Sequence, residues 1–246
     1  MRMQAALKHL LLLCVIVSSA LSGKCQETLA NDSGIVSPFK GELRYQISWK
    51  GKAMEDFKGF LPDSMIVLAA DDGFSVRFFG GMSDTLMEEL IWERNTGRLL
   101  AIYPYLSTAW ESYPDKKDTL IPKLKKEVRI EKILGKSCRM YSLKWNNKEW
   151  KEEFWIWDST RFIGIGDSVP LNQVPPIFIA GLKGLPMKYI RSNATLTSTA
   201  EIKEIVPMPG LVPLPVPGEG IQISPLPSRA NLKHPVFEES RKRQGK

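Results

Sequence analysis

The sequence predicts a mainly β protein, antiparallel and with few short helices. Three observations carry this. Apolar and polar residues alternate with period two in several stretches, short Gly- or Asn-bearing links separate those stretches, and one region reads as three consecutive strands. That region opens the central stretch 128–191. Residues 128–133 alternate β-branched residues with Arg129 and Glu131, and the chain returns across Gly135 into residues 138–145. Asn146-Asn147 then turns it into residues 150–157, completing an antiparallel meander.

The remaining elements follow in order. In residues 41–50, Leu43, Tyr45, Ile47 and Trp49 share one face and Arg44, Gln46 and Ser48 the other, as in a half-buried strand. Residues 65–70 are apolar and end at Asp71-Asp72-Gly73, after which Phe74, Val76 and Phe78 alternate; the two runs form a hairpin. Residues 87–94 fit a helix or a strand. Asn95-Thr96-Gly97 lies between them and the apolar run 99–103, which favours a second hairpin. Residues 108–124 read as irregular, broken by Pro114 and Pro122. Residues 162–173 are broken by glycine, and 174–182 are expected to include a helical turn. A last hairpin joins 187–191 to 196–206 across Ser192-Asn193. The count is nine or ten strands.

The ends differ from the body. Residues 1–25 read as an export signal: Arg2 and Lys8 precede a compact apolar run over 10–17, and small residues follow. The run is shorter than the roughly 20 residues a membrane-spanning helix needs, so no transmembrane span is expected once the signal is removed. Cleavage before Gln26 is one reading. The other is a bacterial lipobox at Leu21-Ser22-Gly23-Lys24-Cys25, which would lipidate Cys25, although Lys24 displaces the small residue expected there. Residues 26–40 form a polar leader, and 41–206 the folded domain. From 207 to 246 the chain becomes Pro-rich, with Pro207, Pro209, Pro213, Pro215, Pro217, Pro225 and Pro227 within twenty-one residues, and then basic. Prolines do not sit inside a paired strand, so this tail is expected to be an extended polyproline-like arm with a disordered tip.

Charge and composition exclude several functions. Of the formal +7, three charges lie in residues 1–25 and a net four beyond residue 228, so the body is neutral and no nucleic-acid footprint is expected. The two histidines, His9 and His234, lie in the signal and the tail. Ser-His-Asp and Cys-His catalytic sets and His-containing zinc sites are therefore not expected in the body, and no cofactor is expected. Cys138 is the one cysteine left if Gln26 begins the mature chain, and it reads as a small buried hydrophobe. Glu88-Glu89, Asp71-Asp72 and Glu152-Glu153 are paired carboxylates. Neighbours on a strand point to opposite faces, so they read as solvated strand faces and a turn. The protein is expected not to be an enzyme.

The unusual concentration is aromatic. Trp145, Trp150, Trp155 and Trp157 stand beside Phe154 and Ile156, with Trp155 and Trp157 on one face and Trp150, Phe154 and Ile156 on the other. Apolar residues on both faces require cover on both sides. The rings then either fill a core or line a gap that admits an apolar ligand.

Three motifs carry a resemblance: Ile133-Leu134-Gly135-Lys136-Ser137-Cys138, Phe154-Trp155-Ile156-Trp157 and Gly184-Leu185-Pro186-Met187. Residues 40–205 resemble an uncharacterised family of proteins exported by Gram-negative bacteria. Families of this kind are similar in fold to the periplasmic lipoprotein carriers of the LolA/LolB type. The resemblance implies a strongly curved antiparallel sheet, an unclosed half barrel around an apolar cavity, and a location in the periplasm or at the outer membrane. It implies no catalytic residues. Two expectations follow. One is binding of a lipid or lipoprotein acyl chain by Trp145, Trp150, Phe154, Trp155, Ile156 and Trp157. The other is a scaffold with a filled core that engages an envelope protein through its Pro-rich arm.

Overall fold

A computed structural model describes residues 39–52, 54–57, 59, 61–81, 88–113, 123–144, 151–159 and 184–226. The expected export signal, Cys25, the expected polar leader up to residue 38, Trp145, Trp150, the expected helical turn at 174–182 and the basic tip lie outside them.

The described strands are β1 (Gly41–Lys50), β2 (Ser64–Ala69), β3 (Gly73–Phe79), β4 (Glu89–Glu93), β5 (Arg98–Tyr103), β6 (Thr108–Ser112), β7 (Lys123–Ile133), β8 (Lys136–Lys144), β9 (Lys151–Trp157), β10 (Leu185–Ser192), β11 (Thr197–Pro207) and β12 (Gln222–Pro225). A four-residue helix, α1 (Met54–Phe57), and a 3-10 turn at Pro104–Leu106 are the helical elements among them. All twelve strands belong to one unclosed sheet, in the order β12-β6-β5-β4-β3-β2-β1-β11-β10-β9-β8-β7. Every pair is antiparallel except β12–β6, which is parallel, so the sheet is mixed at one edge.

The order follows from hairpins plus one long-range closure. Runs β2 to β6 and β7 to β11 each pair with their sequence neighbours, and β1 joins the two by pairing with β2 on one side and β11 on the other. The turns show local chemistry at work. At Leu134-Gly135 both residues have positive φ, 48° and 71°, the requirement of a two-residue type I′ hairpin whose twist matches its strands. In the β10–β11 link the Asn193 side-chain carbonyl accepts the N–H groups of Thr195 (2.9 Å) and Leu196 (2.7 Å). Asparagine closes turns in this way.

The alternation in β1 becomes burial: Leu43, Tyr45 and Ile47 are buried while Arg44, Gln46 and Ser48 are exposed. The same face continues through Val67, Val76, Trp92, Phe154, Tyr189 and Ile202 in one core cluster. The Tyr45 hydroxyl reaches across β11 to donate to the Pro186 carbonyl at 2.6 Å, tying β1 to β10 over the intervening strand. A second, smaller core lies on the other face of β4–β6, where Ile91, Leu100, Ile102 and Ala109 pack together.

Two sequence readings are corrected. Residues 108–112, read as irregular, are β6. The stretch is short and lacks a clean alternation, and its strand state is fixed by pairing on both sides with β5 and β12. The Pro-rich segment is not a free arm over its described length, and the expectation that none of the clustered prolines sits in a paired strand also fails: Pro207 ends β11 opposite Gly41, residues 208–226 lie along the sheet, and Pro225 closes β12. Proline is tolerated there because β12 is an edge strand, and the missing N–H removes nothing from the interior ladder.

Candidate functional site

The described members of the aromatic cluster are core. Phe154 and Ile156 are fully buried and Trp155 is 3% exposed. Phe154 packs on Tyr189 with ring centroids 4.9 Å apart. On the opposite face, Trp155 lies beneath the Lys188 ammonium, 5.1 Å from the ring centre. Lys188 then reaches Glu131 at 2.8 Å, spanning from β10 to β7 over the two strands between them. Burial opposes the Lys188 charge, but Glu131 and Glu201 outweigh it and raise its pKa. Trp157 is half-buried, with Lys136 4.7 Å from its ring centre. The strand is thus covered on both faces, as its composition requires, by close packing around these rings.

Beside these rings lies a group that the reading of the paired carboxylates as solvated passed over. Glu152, read as part of a solvated face, is 1% exposed. The Tyr189 hydroxyl donates to it at 3.0 Å, and Arg191 lies 3.3 Å away. Burial, and then the Glu152 carboxylate, push the Tyr189 hydroxyl well above its ordinary pKa, so it remains a donor. Glu152 shares its strand face with Phe154 and Ile156, and period two would have placed it with them. Its carboxyl group is held in the core by a tyrosine and an arginine, an arrangement that positions strands. Glu89, also read as solvated, is buried against Arg77 at 3.0 Å. Cys138 is buried, and burial pushes its thiol up, away from the reactive thiolate. Among the described residues no cluster of three or more His, Cys, Asp or Glu side chains could hold a metal.

An open groove of about 470 Å³ crosses β1, β2 and β11, lined among others by Arg44, Gln46, Ile66, Phe79 and Glu204. Arg44 closes its polar side through ion pairs to Glu42 (2.8 Å) and Glu204 (2.9 Å).

The third feature is the docked arm. It leaves β11 with the Met208 N–H donating to the Lys40 carbonyl at 3.1 Å. It then meets the β2–β3 turn, where Asp71 grips Val212 twice: the Val212 N–H donates to the carboxylate at 2.9 Å, and the Asp71 N–H donates to the Val212 carbonyl at 3.1 Å. The Lys40 ammonium pairs with the same carboxylate. This ammonium, then the Val212 N–H, hold Asp71 below its ordinary pKa. Further on, Leu214 and Ile221 pack against Ile91, Leu100, Ile102 and Ala109, closing the second core. The arm ends along β6, with Gln222 donating to the Ser107 carbonyl at 2.9 Å and Leu226 to that of Glu111 at 2.7 Å. Val212 is buried at 5% exposure, whereas Leu211 and Val216 are 82% and 86% exposed. The result is a proline-stiffened ridge anchored below and apolar above.

Fold and site define a single-sheet, mainly β protein whose Pro-rich segment is part of its structure. No family model matches the chain, and no curated protein matches it either. Two solved chains of PNGF-II, in C2 and P21 crystals, are similar at 16% and 15% identity with TM-scores of 0.48 and 0.46. They cover 81% and 82% of this chain, which spans 33% and 34% of theirs, about a third of their length. Likeness at this level supports no inference about activity. Among the described residues no helix is long and apolar enough to cross a membrane.

Proposed function

We propose that this chain is an exported, non-catalytic protein of the bacterial envelope that works as an interaction module and presents its Pro-rich arm to a protein partner. The carrying observation is the arm's division of labour: Val212 and Leu214 face the sheet while Leu211 and Val216 stand in solvent. Proline fixes φ, and docking fixes the rest, so a partner meets an extended segment whose ordering cost has already been met. An aromatic-lined groove of the kind that accepts polyproline segments fits this ridge. Export is inferred from the reading of residues 1–25 as a signal, and the periplasm or outer membrane from the family resemblance.

Lipid carriage is the second reading, motivated by the density of tryptophan. It requires rings that line an accessible void, whereas Phe154, Trp155 and Ile156 are packed. Native mass spectrometry of the protein extracted from envelopes without detergent separates the two. The interaction reading expects a protein–protein species that disappears in the double variant Leu211→Asp, Val216→Asp while thermal unfolding stays unchanged. A species carrying a lipid-sized mass, unaffected by that variant, replaces it with the carrier reading.

A further inference from the structure

The far end of the sheet from the arm is β7. It is one of the two longest strands, eleven residues, and pairs only with β8; no described strand lies along its outer edge. A long open edge offers unpaired N–H and C=O groups to any extended chain, and folded proteins ordinarily shorten, cover or charge such edges. This edge is charged in one sense. Its acids are already engaged, Glu127 by Lys125 (3.1 Å) and Ser142 (2.8 Å) and Glu131 by Lys188 (2.8 Å). Lys126, Arg129 and Lys132 are exposed and form no ion pair with another described residue. Between them the ladder bulges: Lys126 pairs with Tyr141 and Ile130 with Arg139, so residues 127–129 face Met140 alone. The bulge carries Val128 to 91% exposure, and Ile130 is 58% exposed beside it.

We propose that the outer edge of β7 is a strand-addition site for an extended acidic protein segment in which Asp or Glu alternates with β-branched residues. The backbone edge supplies the ladder, Lys126, Arg129 and Lys132 supply the charge preference, and Val128 and Ile130 supply apolar contact. A second copy of this chain is disfavoured in the antiparallel β7–β7 register centred on Arg129, which sets Lys126 against Lys132 and Arg129 against itself, because like charges across a ladder destabilise it. This site lies at the opposite end of the sheet from the arm and goes beyond the reading above.

The test is fluorescence anisotropy of a labelled peptide of alternating Glu and Val, titrated with the full chain. Binding is expected, weakening with added salt. It is expected to fall by at least about ten-fold for the triple variant Lys126→Glu, Arg129→Glu, Lys132→Glu, which should instead take the alternating Lys and Val peptide. A peptide of the same sequence N-methylated at alternate residues keeps its charge but loses the ladder, and its binding is expected to vanish. Equal binding of the N-methylated peptide, or indifference to the triple variant, overturns the proposal. So does pelleting with phosphatidylglycerol vesicles without peptide binding, or self-association in sedimentation. The Leu211→Asp, Val216→Asp variant is expected to bind the peptide normally, so failure at the arm and failure at this edge are told apart.

Discussion

The two ends of the sheet solve the same problem differently. At one end β6 is covered by β12, four residues long, laid parallel and closed by Pro225. The residues leading to β12 also cover the apolar face behind β4–β6. At the other end β7 extends for eleven residues with a bulge and exposed cations, and no strand among the described residues covers it. Both devices guard an edge. A proline-ended cap refuses any further strand, whereas charge refuses only strands of the same sign. The first edge is therefore closed by structure, and the second is selective.

The largest effect is expected from removing the cap. Truncation after Pro207 uncovers Ile91, Leu100, Ile102 and Ala109 and frees the edge of β6. The loss of the contacts of Val212, Leu214 and Ile221 is expected to cost on the order of 3 kcal/mol or more, at about 1.5–3 kcal/mol for each well-buried aliphatic side chain. Urea unfolding reads the stability, and dye binding and sedimentation read the exposed patch. An unchanged midpoint would mean that the arm only rests on the sheet.

A smaller effect is expected from Gly184→Ala, in the half of the sheet that carries β7. Gly184 has φ +120°, and a Cβ there would lie 2.6 Å from the Trp157 carbonyl oxygen and 2.7 Å from Ile156 Cγ2. Strain at such a backbone position, together with a clash against backbone, is expected to cost about 2 kcal/mol. The near-ultraviolet dichroism of the buried tryptophans is expected to change with it. The substitution loosens β9–β10 and leaves the arm amides protected, which shows whether the two ends fail separately.

What the sequence disclosed follows the range of the forces involved. The faces of β1, the Asn95-Thr96-Gly97 link and the β7–β8 return across Gly135 are local, and each is visible in adjacent residues. The pairing of β1 with β11 joins residues about 160 positions apart, such as Arg44 and Glu204, and no short pattern reports it. β6 and β12 are likewise made by their neighbours rather than by their own alternation. The proline count showed that the arm is extended but not where it lies, because Asp71 and Val212 meet only after folding. At the candidate site, the sequence required cover on both faces of residues 154–157. It left open whether that cover was packing or a void, and the two differ only in how distant strands close over Trp155. Glu152 and Glu153 do diverge, as strand neighbours must, and the local pattern hid only that one of them points into the core, where Tyr189 and Arg191 receive it.

The β7 end can also be strengthened. Leu134 occupies the left-handed region at φ 48°, where a side chain branching beyond Cβ gains nothing and the backbone pays about 1–2 kcal/mol relative to a right-handed position. Leu134 is 48% exposed, so little packing is lost by replacing it. Leu134→Asn is expected to stabilise the hairpin by about 0.5–1 kcal/mol, since asparagine tolerates this conformation and favours the type I′ turn. Hydrogen exchange along β7 and β8 should slow. Binding of the acidic peptide should hold or tighten, because the edge becomes more ordered while its charges stay the same.

The subtlest test uses pH to loosen one end alone. Asp71 holds the arm through Lys40 and the Val212 N–H, and these partners keep its folded pKa below the ordinary 3.8. A carboxyl whose pKa is lower folded than unfolded binds fewer protons in the folded state, so its contribution is complete above the unfolded value. That contribution fades as pH falls below 3.8 and is gone once pH passes the depressed folded value. Amide exchange at Val212 and Gln222 is therefore expected to accelerate, relative to the intrinsic rate, as acid is added through that window. Amides at the β7–β8 turn serve as the internal reference. In Asp71→Asn the acid-dependent step is expected to disappear, with the arm amides less protected at neutral pH because the Lys40 ion pair is lost. If the arm and the β7–β8 turn instead loosen together over the same pH range, acid is acting on the whole sheet and the clamp at Asp71 is not what seats the arm.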